Sequence, residues 1–397
     1  MTESRSPFAP GRIGSLTLRN RIVKLATFEA MAREGMPLPA LVEHHRVIAA
    51  GGAAMTTVAY AAVSRDGLSY GTQLWMRPES TRALRDLTDA VHSEGGAASM
   101  QIGHAGGFSD PAVTRCPAFA PSRRFETYRM SWSREMGEAE IHRVRSDFVS
   151  SARLVRDAGF DALEIHAGHG YLLSQFLSPF TNHRSDRWGG SEKARLEFPR
   201  VVVRDVRKAL GPDFPILVKM NVADGFRGGL DVDGAVNVAR MFESEGVDAL
   251  VLSGGFLART PFFMLRGNVP VREMARNEKN WAKKAGLALF GQFLVPAHPY
   301  APGFFLEDAR RIREAVRLPL VLVGGIKSLP TMNTAMEAGF EFVGMARALL
   351  YDPTLVRRME AGDVGASGCE PCNLCVVEMD RGGVRCPVTG GPAGTGP

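Results

Sequence analysis

Asp157-Ala-Gly-Phe-Asp-Ala-Leu163 is the stretch on which the fold turns, and close variants of it occur twice more. They are Glu243-Ser-Glu-Gly-Val-Asp-Ala-Leu250 and Glu337-Ala-Gly-Phe-Glu-Phe-Val343. Each follows a run with helical period and precedes a short apolar run. The glycine in each (Gly159, Gly246, Gly339) is placed to close a helix in the left-handed conformation, which it adopts without a Cβ clash. Every junction therefore reads helix, glycine cap, buried strand. Eight such apolar runs recur along the chain: Arg21–Thr27, Ala54–Tyr60, Ala97–Ile102, Asp161–His166, Pro215–Asn221, Asp248–Ser253, Pro319–Gly324 and Glu341–Ala346. Helical stretches separate them, at Leu38–Ala50, Glu79–Ser93, Glu138–Asp157, Glu192–Ala209, Val232–Glu245, Leu306–Val316 and Leu329–Glu337. Eight buried strands alternating with helices predict a parallel sheet closed on itself, a single (β/α)8 TIM barrel. An open doubly wound sheet uses the same alternation but calls for a glycine-rich dinucleotide turn after its first strand. Phe28-Glu-Ala-Met-Ala-Arg-Glu-Gly35 stands there instead, so the barrel is preferred.

Two long excursions interrupt the alternation, Gly103–Gly137 after the third strand and Gly254–Phe305 after the sixth. Loops of this length are usually functional, and both leave the strand ends where barrel active sites sit. The organisation expected is a barrel over residues 1–360, a cysteine-rich extension over 361–386 and a disordered Gly/Pro tail over 387–397. The 397 residues carry 48 Lys+Arg against 42 Asp+Glu, a net charge of +6. The signs interleave, with no basic stripe of the kind nucleic-acid binding uses. The longest apolar stretch, Leu287–Phe305, is broken by Gln292, His298 and three prolines, which excludes a membrane helix. Met1–Pro7 lacks an apolar signal core, so a cytoplasmic protein is expected.

The fourth strand end is richest in chemistry: Glu164-Ile-His166-Ala-Gly-His169-Gly-Tyr171. Two imidazoles can hold one carbonyl or phenolate oxygen, and a neighbouring phenol can deliver a proton. Spacing alone leaves metal ligation by His-x-x-His and plain structural roles open. The last two strands end in Val323-Gly-Gly-Ile-Lys327 and Gly344-Met-Ala-Arg347, where barrels often bind phosphate through backbone N–H groups and an arginine. Four of the five cysteines, Cys369, Cys372, Cys375 and Cys386, crowd into the C-terminal stretch and point to metal or cluster ligation. Cys116 reads as a loop thiol.

Over roughly Phe8 to Pro353 the chain resembles the old yellow enzyme family of FMN-dependent oxidoreductases. The motifs are Asn20-Arg-Ile-Val23, Gln101-Ile-Gly-His104, His166-x-x-His169-Gly-Tyr171-Leu-Leu, Asn182-x-Arg184-x-Asp186-Arg-Trp-Gly-Gly-Ser191 and Gly344-x-Ala-Arg347-x-Leu-Leu350. The resemblance implies that Gln101 bonds the flavin pyrimidine edge. It puts Lys219 near flavin N1 and O2, where the family usually has arginine. Gly324, Gly325, Ala346 and Arg347 would hold the FMN phosphate. His166 and His169 would bind the substrate's electron-withdrawing oxygen, and Tyr171 would donate the proton. Ala26, Thr27 and Phe28 replace the family's usual Pro-Met-Thr/Cys beside the flavin, and Tyr60 stands where a small residue is usual. The implied activity is NAD(P)H-dependent reduction of the C=C bond of an α,β-unsaturated carbonyl, in a protein that is often a homo-oligomer.

The cysteine spacing is similar to that of the trimethylamine dehydrogenase and dienoyl-CoA reductase branch, which implies a [4Fe–4S] cluster. Four thiolates equally suit a structural zinc. A cluster would fit an alternative activity, a dehydrogenase or demethylase passing electrons to an external acceptor. A flavin-free barrel lyase or binding protein with structural zinc is the reading from another class.

Overall fold

The computed structural model describes residues 6–278 and 280–390. Its centre is a closed barrel of eight parallel strands: β1 (Ile22–Lys24), β2 (Met55–Ala62), β3 (Ala97–Gly103), β4 (Ala162–Ala167), β5 (Ile216–Asn221), β6 (Ala249–Ser253), β7 (Leu320–Leu322) and β8 (Phe342–Met345). Each pairs with its sequence neighbours, and β8 closes on β1 through Val343 opposite Ile22 and Gly344 opposite Val23. The helices of the outer ring are α1 (Pro39–Ala50), α2 (Thr81–Ser93), α3 (Glu138–Asp157), α4 (Glu197–Leu210), α5 (Val232–Ser244), α6 (Leu306–Ala315), α7 (Leu329–Glu337) and α8 (Leu355–Glu360). The barrel expected from the alternation of strands and helices is the one observed.

Local chemistry accounts for the junctions. Helix α3 starts with Glu140 accepting the Gly137 N–H at 2.9 Å, and the acidic residues of its first turn favour the helix dipole. Asp231 caps α5 by accepting the Gly234 N–H at 2.9 Å. Gly159, Gly246 and Gly339 all take positive φ, between 77° and 88°, just past helix ends. Fully buried Phe148, Phe198 and Phe242 fill the space between barrel and helices, and the buried Phe342 ring lies against Gly11. An N-terminal hairpin, Gly11–Ile13 against Leu16–Leu18, closes the bottom of the barrel with Ile13 and Leu18 buried.

Three boundaries depart from the sequence reading. Strand β1 ends at Lys24 because the Leu25 N–H makes the last rung, to Met345, and the chain then turns away along a cleft. Strand β2 runs to Ala62, two residues past Tyr60, through an irregularity between Val58 and Ala61. The helix expected over Glu192–Ala209 is two, Glu192–Arg195 and α4.

The excursions carry structure of their own. The first holds a three-stranded sheet of Phe119–Ala120, Ser131–Glu135 and Arg124–Glu126, and the second holds helices Val271–Asn277 and Trp281–Leu294. The cysteine-rich stretch is tied to the barrel by Ser367 N–H to Lys327, Leu329 N–H to Gly365 and Val384 N–H to Glu29. Of the tail expected to be disordered, 391–397 lie outside the described residues. Pro387–Gly390 form a turn, with Thr389 Oγ1 donating to the Tyr351 carbonyl at 3.1 Å. No helix among the described residues is long and apolar enough to cross a membrane.

Candidate active site

A cleft open to solvent lies across the C-terminal ends of the strands. Ala26 and Thr27 wall it after β1, Lys219 at the end of β5, and Ser253 at the end of β6. Gly324 and Gly325 follow β7, and Ala346 and Arg347 follow β8. Met264, Leu265, Tyr300, Cys369 and Pro371 complete it from the second excursion and the cysteine-rich stretch. Of the residues singled out in the sequence, Ala26, Thr27, His169, Lys219, Gly324, Gly325, Ala346 and Arg347 therefore share one wall. Gly324 and Gly325 both hold positive φ, and a Cβ on Gly325 would meet the Ala301 carbonyl at 2.5 Å.

Strand register explains the floor. Glu164 and His166 are two apart on β4 and project to the same side. Gln101 on β3 sits opposite Glu164, and Lys219 on β5 sits opposite His166. Glu164 accepts from Gln101 Nε2 at 2.5 Å and pairs with Lys219 Nζ at 2.9 Å, with both charged side chains nearly fully buried. Glu164 escaped the sequence reading. Its signal was a lone carboxylate inside an otherwise apolar strand, facing the same way as a histidine already under suspicion.

His166, His169, Tyr171 and Tyr60 form a compact group above this floor. His166 lies 4.7 Å from Tyr171 and 5.0 Å from His169, ring centre to ring centre, and Tyr60 lies 4.9 Å from Tyr171. Burial pushes the His166 pKa well below its ordinary value, helped by His169 and Lys219. Burial and Lys219 push His169 down to about 3. Burial pushes Tyr60 up to about 12 and Tyr171 well above the usual phenol range. At neutral pH the group thus consists of two uncharged imidazoles and two protonated phenols. Phe28 stacks on Tyr70 at 5.0 Å.

His169 holds φ of +60°, a conformation costly for a residue with a Cβ. The turn is held by its N–H to Asn221 Oδ1 at 3.0 Å, while its Nε2 meets Ser253 Oγ at 2.7 Å. Asn221 is fixed in turn by Asp224 and the Gly255 carbonyl, each at 2.8 Å. Asn221, Asp224 and Ser253 were not foreseen, because their partners lie on other strands.

The cleft suits FMN by its own chemistry. Thr27 Oγ1 is buried on the wall with no hydrogen-bond partner among the described residues, the state of a hydroxyl awaiting a ligand atom. Lys219 brings a cation to the floor, and the Arg347 guanidinium, bonded to Asn373 Oδ1 at 2.5 Å, lies at the glycine-lined end.

The cysteines approach the same end. Cys369 lines the cleft, Lys327 Nζ donates to its carbonyl at 2.9 Å, and Arg347 stands close to Cys369, Cys372 and Cys375. Burial pushes the Cys375 thiol up to about 12. Glu29, His44 and His45 also converge, with ligand atoms within 4.8 Å of one another. There Lys24 Nζ already neutralises the carboxylate at 2.5 Å.

The sequence matches the model of the NADH:flavin oxidoreductase / NADH oxidase family over residues 6–288, about seven-tenths of its length. The chain belongs to this family. It is 44% identical to the 4,4'-dithiodibutanoate disulfide reductase of Rhodococcus erythropolis, covering 98% of this chain and 96% of that enzyme. It is 30% identical to the NADH oxidase of Thermoanaerobacter brockii, covering 94% of this chain but 54% of that enzyme. The chain spans about half the length of several such relatives. Among solved structures, the old yellow enzyme homologue from Zymomonas mobilis superposes with a TM-score of 0.74 at 22% identity, covering 97% of this chain and 98% of that one. This likeness supports the fold. The protein is thus an FMN-dependent NAD(P)H oxidoreductase of the old yellow enzyme type.

Proposed function

We propose that the protein uses NAD(P)H to reduce the C=C bond of small α,β-unsaturated carbonyl compounds. The observation that carries this reading is the neutral donor set. His166 and His169 are both held uncharged by burial, and the protonated Tyr171 phenol packs against His166. Bound in the cleft, FMN supplies the hydride. Thr27, Gln101 and Lys219 would hold the flavin ring, and the stretch from Gly324 to Arg347 its phosphate. Ring N–H groups of His166 and His169 polarise the substrate carbonyl and stabilise charge developing on its oxygen, a large effect where water is excluded. Tyr171 gives its proton to the α-carbon, and the burial of the phenol keeps that proton in place until carbanion character develops. Tyr171→Phe should slow enone reduction about 10²- to 10⁴-fold. The same variant should leave flavin reduction by NAD(P)H unchanged in stopped flow, and equal slowing of both steps rejects the role.

The disulfide reductase relative favours a second reading, reductive cleavage of an organic disulfide (RS–SR + NAD(P)H + H⁺ → 2 RSH + NAD(P)⁺). A thiolate leaves without acid assistance, so Tyr171→Phe should barely affect that reaction. The ratio of enone to disulfide turnover in this variant therefore separates the two.

For the cysteine-rich stretch we infer a [4Fe–4S] cluster on Cys369, Cys372, Cys375 and Cys386. No three of these sulfurs lie within 4.8 Å of one another. Tetrahedral zinc with bonds of about 2.3 Å would draw them closer, whereas a four-iron cluster gives each thiolate its own iron. About four irons per chain after anaerobic purification supports the cluster, and electron transfer to an external acceptor with it. One zinc per chain rejects it.

A further inference from the structure

Two arginines near the turn that carries His169 and Tyr171 stack on one shared aromatic ring. Arg124 comes from the excursion after β3 and Arg259 from the loop after β6. Both guanidiniums stack on the Phe180 ring, at 4.6 and 4.7 Å, and Arg259 also covers Phe226 at 4.6 Å. Phe180 and Phe226 pack in turn on Phe256, at 6.1 and 5.8 Å. The Phe256 ring lies against Gly170, between His169 and Tyr171. The next residue, Leu257, donates its N–H to the His169 carbonyl at 3.0 Å. Arg259 is two residues farther on, within about 7 Å of chain. The aromatic shell thus joins the two guanidiniums directly to the turn that carries the reacting side chains.

Arg259 is exposed to solvent and Arg124 is half-buried. Among the described residues neither guanidinium donates a side-chain hydrogen bond, and Arg124 Nε is buried without a partner. The carboxylate nearest either one is Glu126, 3.9 Å from Arg124 Nε. Burial raises the Glu126 pKa, against the opposing pull of Arg124. Arg129 in the same excursion is the contrast, because it donates to the carbonyls of Phe108 and Ser69 and to Asp110. Stacking engages the face of a guanidinium and leaves its in-plane N–H groups free, the geometry that takes a carboxylate in a bidentate grip. Burial and the like charge of Arg259 both disfavour the Arg124 cation, and an anion bound at the pair would relieve this.

We propose that Arg124 and Arg259 form a carboxylate-binding subsite, so that the preferred substrates carry an anionic group remote from the bond that is reduced. The proposal rests on the reading of the His166–Tyr171 pocket as the place of substrate reduction. The test uses the FMN-loaded enzyme and Arg124→Gln/Arg259→Gln. One probe is decanedioate, an unreactive dicarboxylate with the chain length of 4,4'-dithiodibutanoate, titrated against the flavin absorbance. The others are 4,4'-dithiodibutanoate and its dimethyl ester as substrates. The double variant should weaken decanedioate binding and raise KM for the diacid by about 10- to 100-fold, the scale of charged hydrogen bonds, with the ester unchanged. Equal losses on diacid and ester would mean a structural role and overturn the subsite. So would wild-type enzyme that does not prefer the diacid to the ester or decanedioate to decane-1,10-diol. If decanedioate binds in an arginine-dependent way but neither enone nor disulfide is turned over, the subsite stands and the reduction reading falls.

Discussion

Replacing Glu164 with glutamine removes one charge from a barrel floor that holds two opposite ones. Lys219 Nζ lies 2.9 Å from the Glu164 carboxylate, and both side chains are within 3% of full burial. At an effective dielectric of about 20 the pair attracts with about 6 kcal/mol, much of it offset by desolvation of both ions. Losing one partner is a different matter, because the remaining ammonium keeps its desolvation cost without its counter-charge. The other acceptor near Lys219 is the Ala26 carbonyl, at 3.4 Å, too long to compensate. Glu164→Gln and Lys219→Met should therefore each destabilise the apoprotein by about 3–5 kcal/mol. The double variant should be far less unstable than the sum, with a coupling of about 2–3 kcal/mol. Urea unfolding of the flavin-free protein measures all three, so that loss of cofactor does not enter. Additivity within about 0.5 kcal/mol would refute the pairing. A second readout follows from the sign of the exposed charge. In Glu164→Gln an uncompensated cation beside the flavin should raise its reduction potential, whereas Lys219→Met should lower it.

Three further outcomes are expected. His44, His45, His166 and His169 are all held neutral by burial, with folded pKa values below the unfolded value of about 6.5. The unfolded chain thus binds the extra protons, and stability is lost as pH falls below 6.5, by about 1.4 kcal/mol per histidine at pH 5.5; denaturant midpoints at pH 7.5 and 5.5 that coincide would contradict this. Thr27→Val should stabilise the apoprotein by about 1 kcal/mol, since it removes a buried hydroxyl without a partner, while weakening FMN binding; paired melting and flavin titrations check both signs. Tyr60→Ala should cost about 3–5 kcal/mol and admit bulkier enones. Tyr60→Phe, which loses only the 2.8 Å bond to Ser69, should cost about 1 kcal/mol and leave the size preference alone.

The barrel was legible because each of its repeating units announces itself locally. Gly159, Gly246 and Gly339 end their helices in the backbone conformation that only glycine takes easily, and each is followed by a fully buried strand. The histidines and Tyr171 were legible for a similar reason, since they stand in one short segment just beyond a strand. What stayed hidden is held together across the barrel. Glu164 takes its meaning from Gln101, opposite it on β3, and from Lys219, opposite His166 on β5. Ser253 matters through His169, and Asn221 through the left-handed turn it stabilises. The sheet within the first excursion was equally out of reach, because strands as short as Phe119–Ala120 leave no period to read. Arg124 and Arg259 sit far apart in the chain and meet only because both loops lean on Phe180.

The site's polar groups are arranged at a cost that the empty protein does not recover. His169 is held in a conformation unfavourable to a side chain, and Thr27 keeps a hydroxyl out of water without a partner. Lys219 and Glu164 are desolvated, and two guanidiniums crowd one ring. Elsewhere the barrel follows the ordinary rules of apolar burial and capped helices, so these exceptions gather where strand ends, excursions and the cysteine-rich stretch meet. Each would be relieved by something with complementary chemistry: an acceptor or donor for Thr27, negative charge for Lys219, an anion between the arginines. A ligand that satisfies them binds the folded chain alone and so adds its binding energy to stability. The same preorganisation lets neutral His166, His169 and Tyr171 meet a developing negative charge without rearrangement, which is where fixed dipoles lower a barrier most.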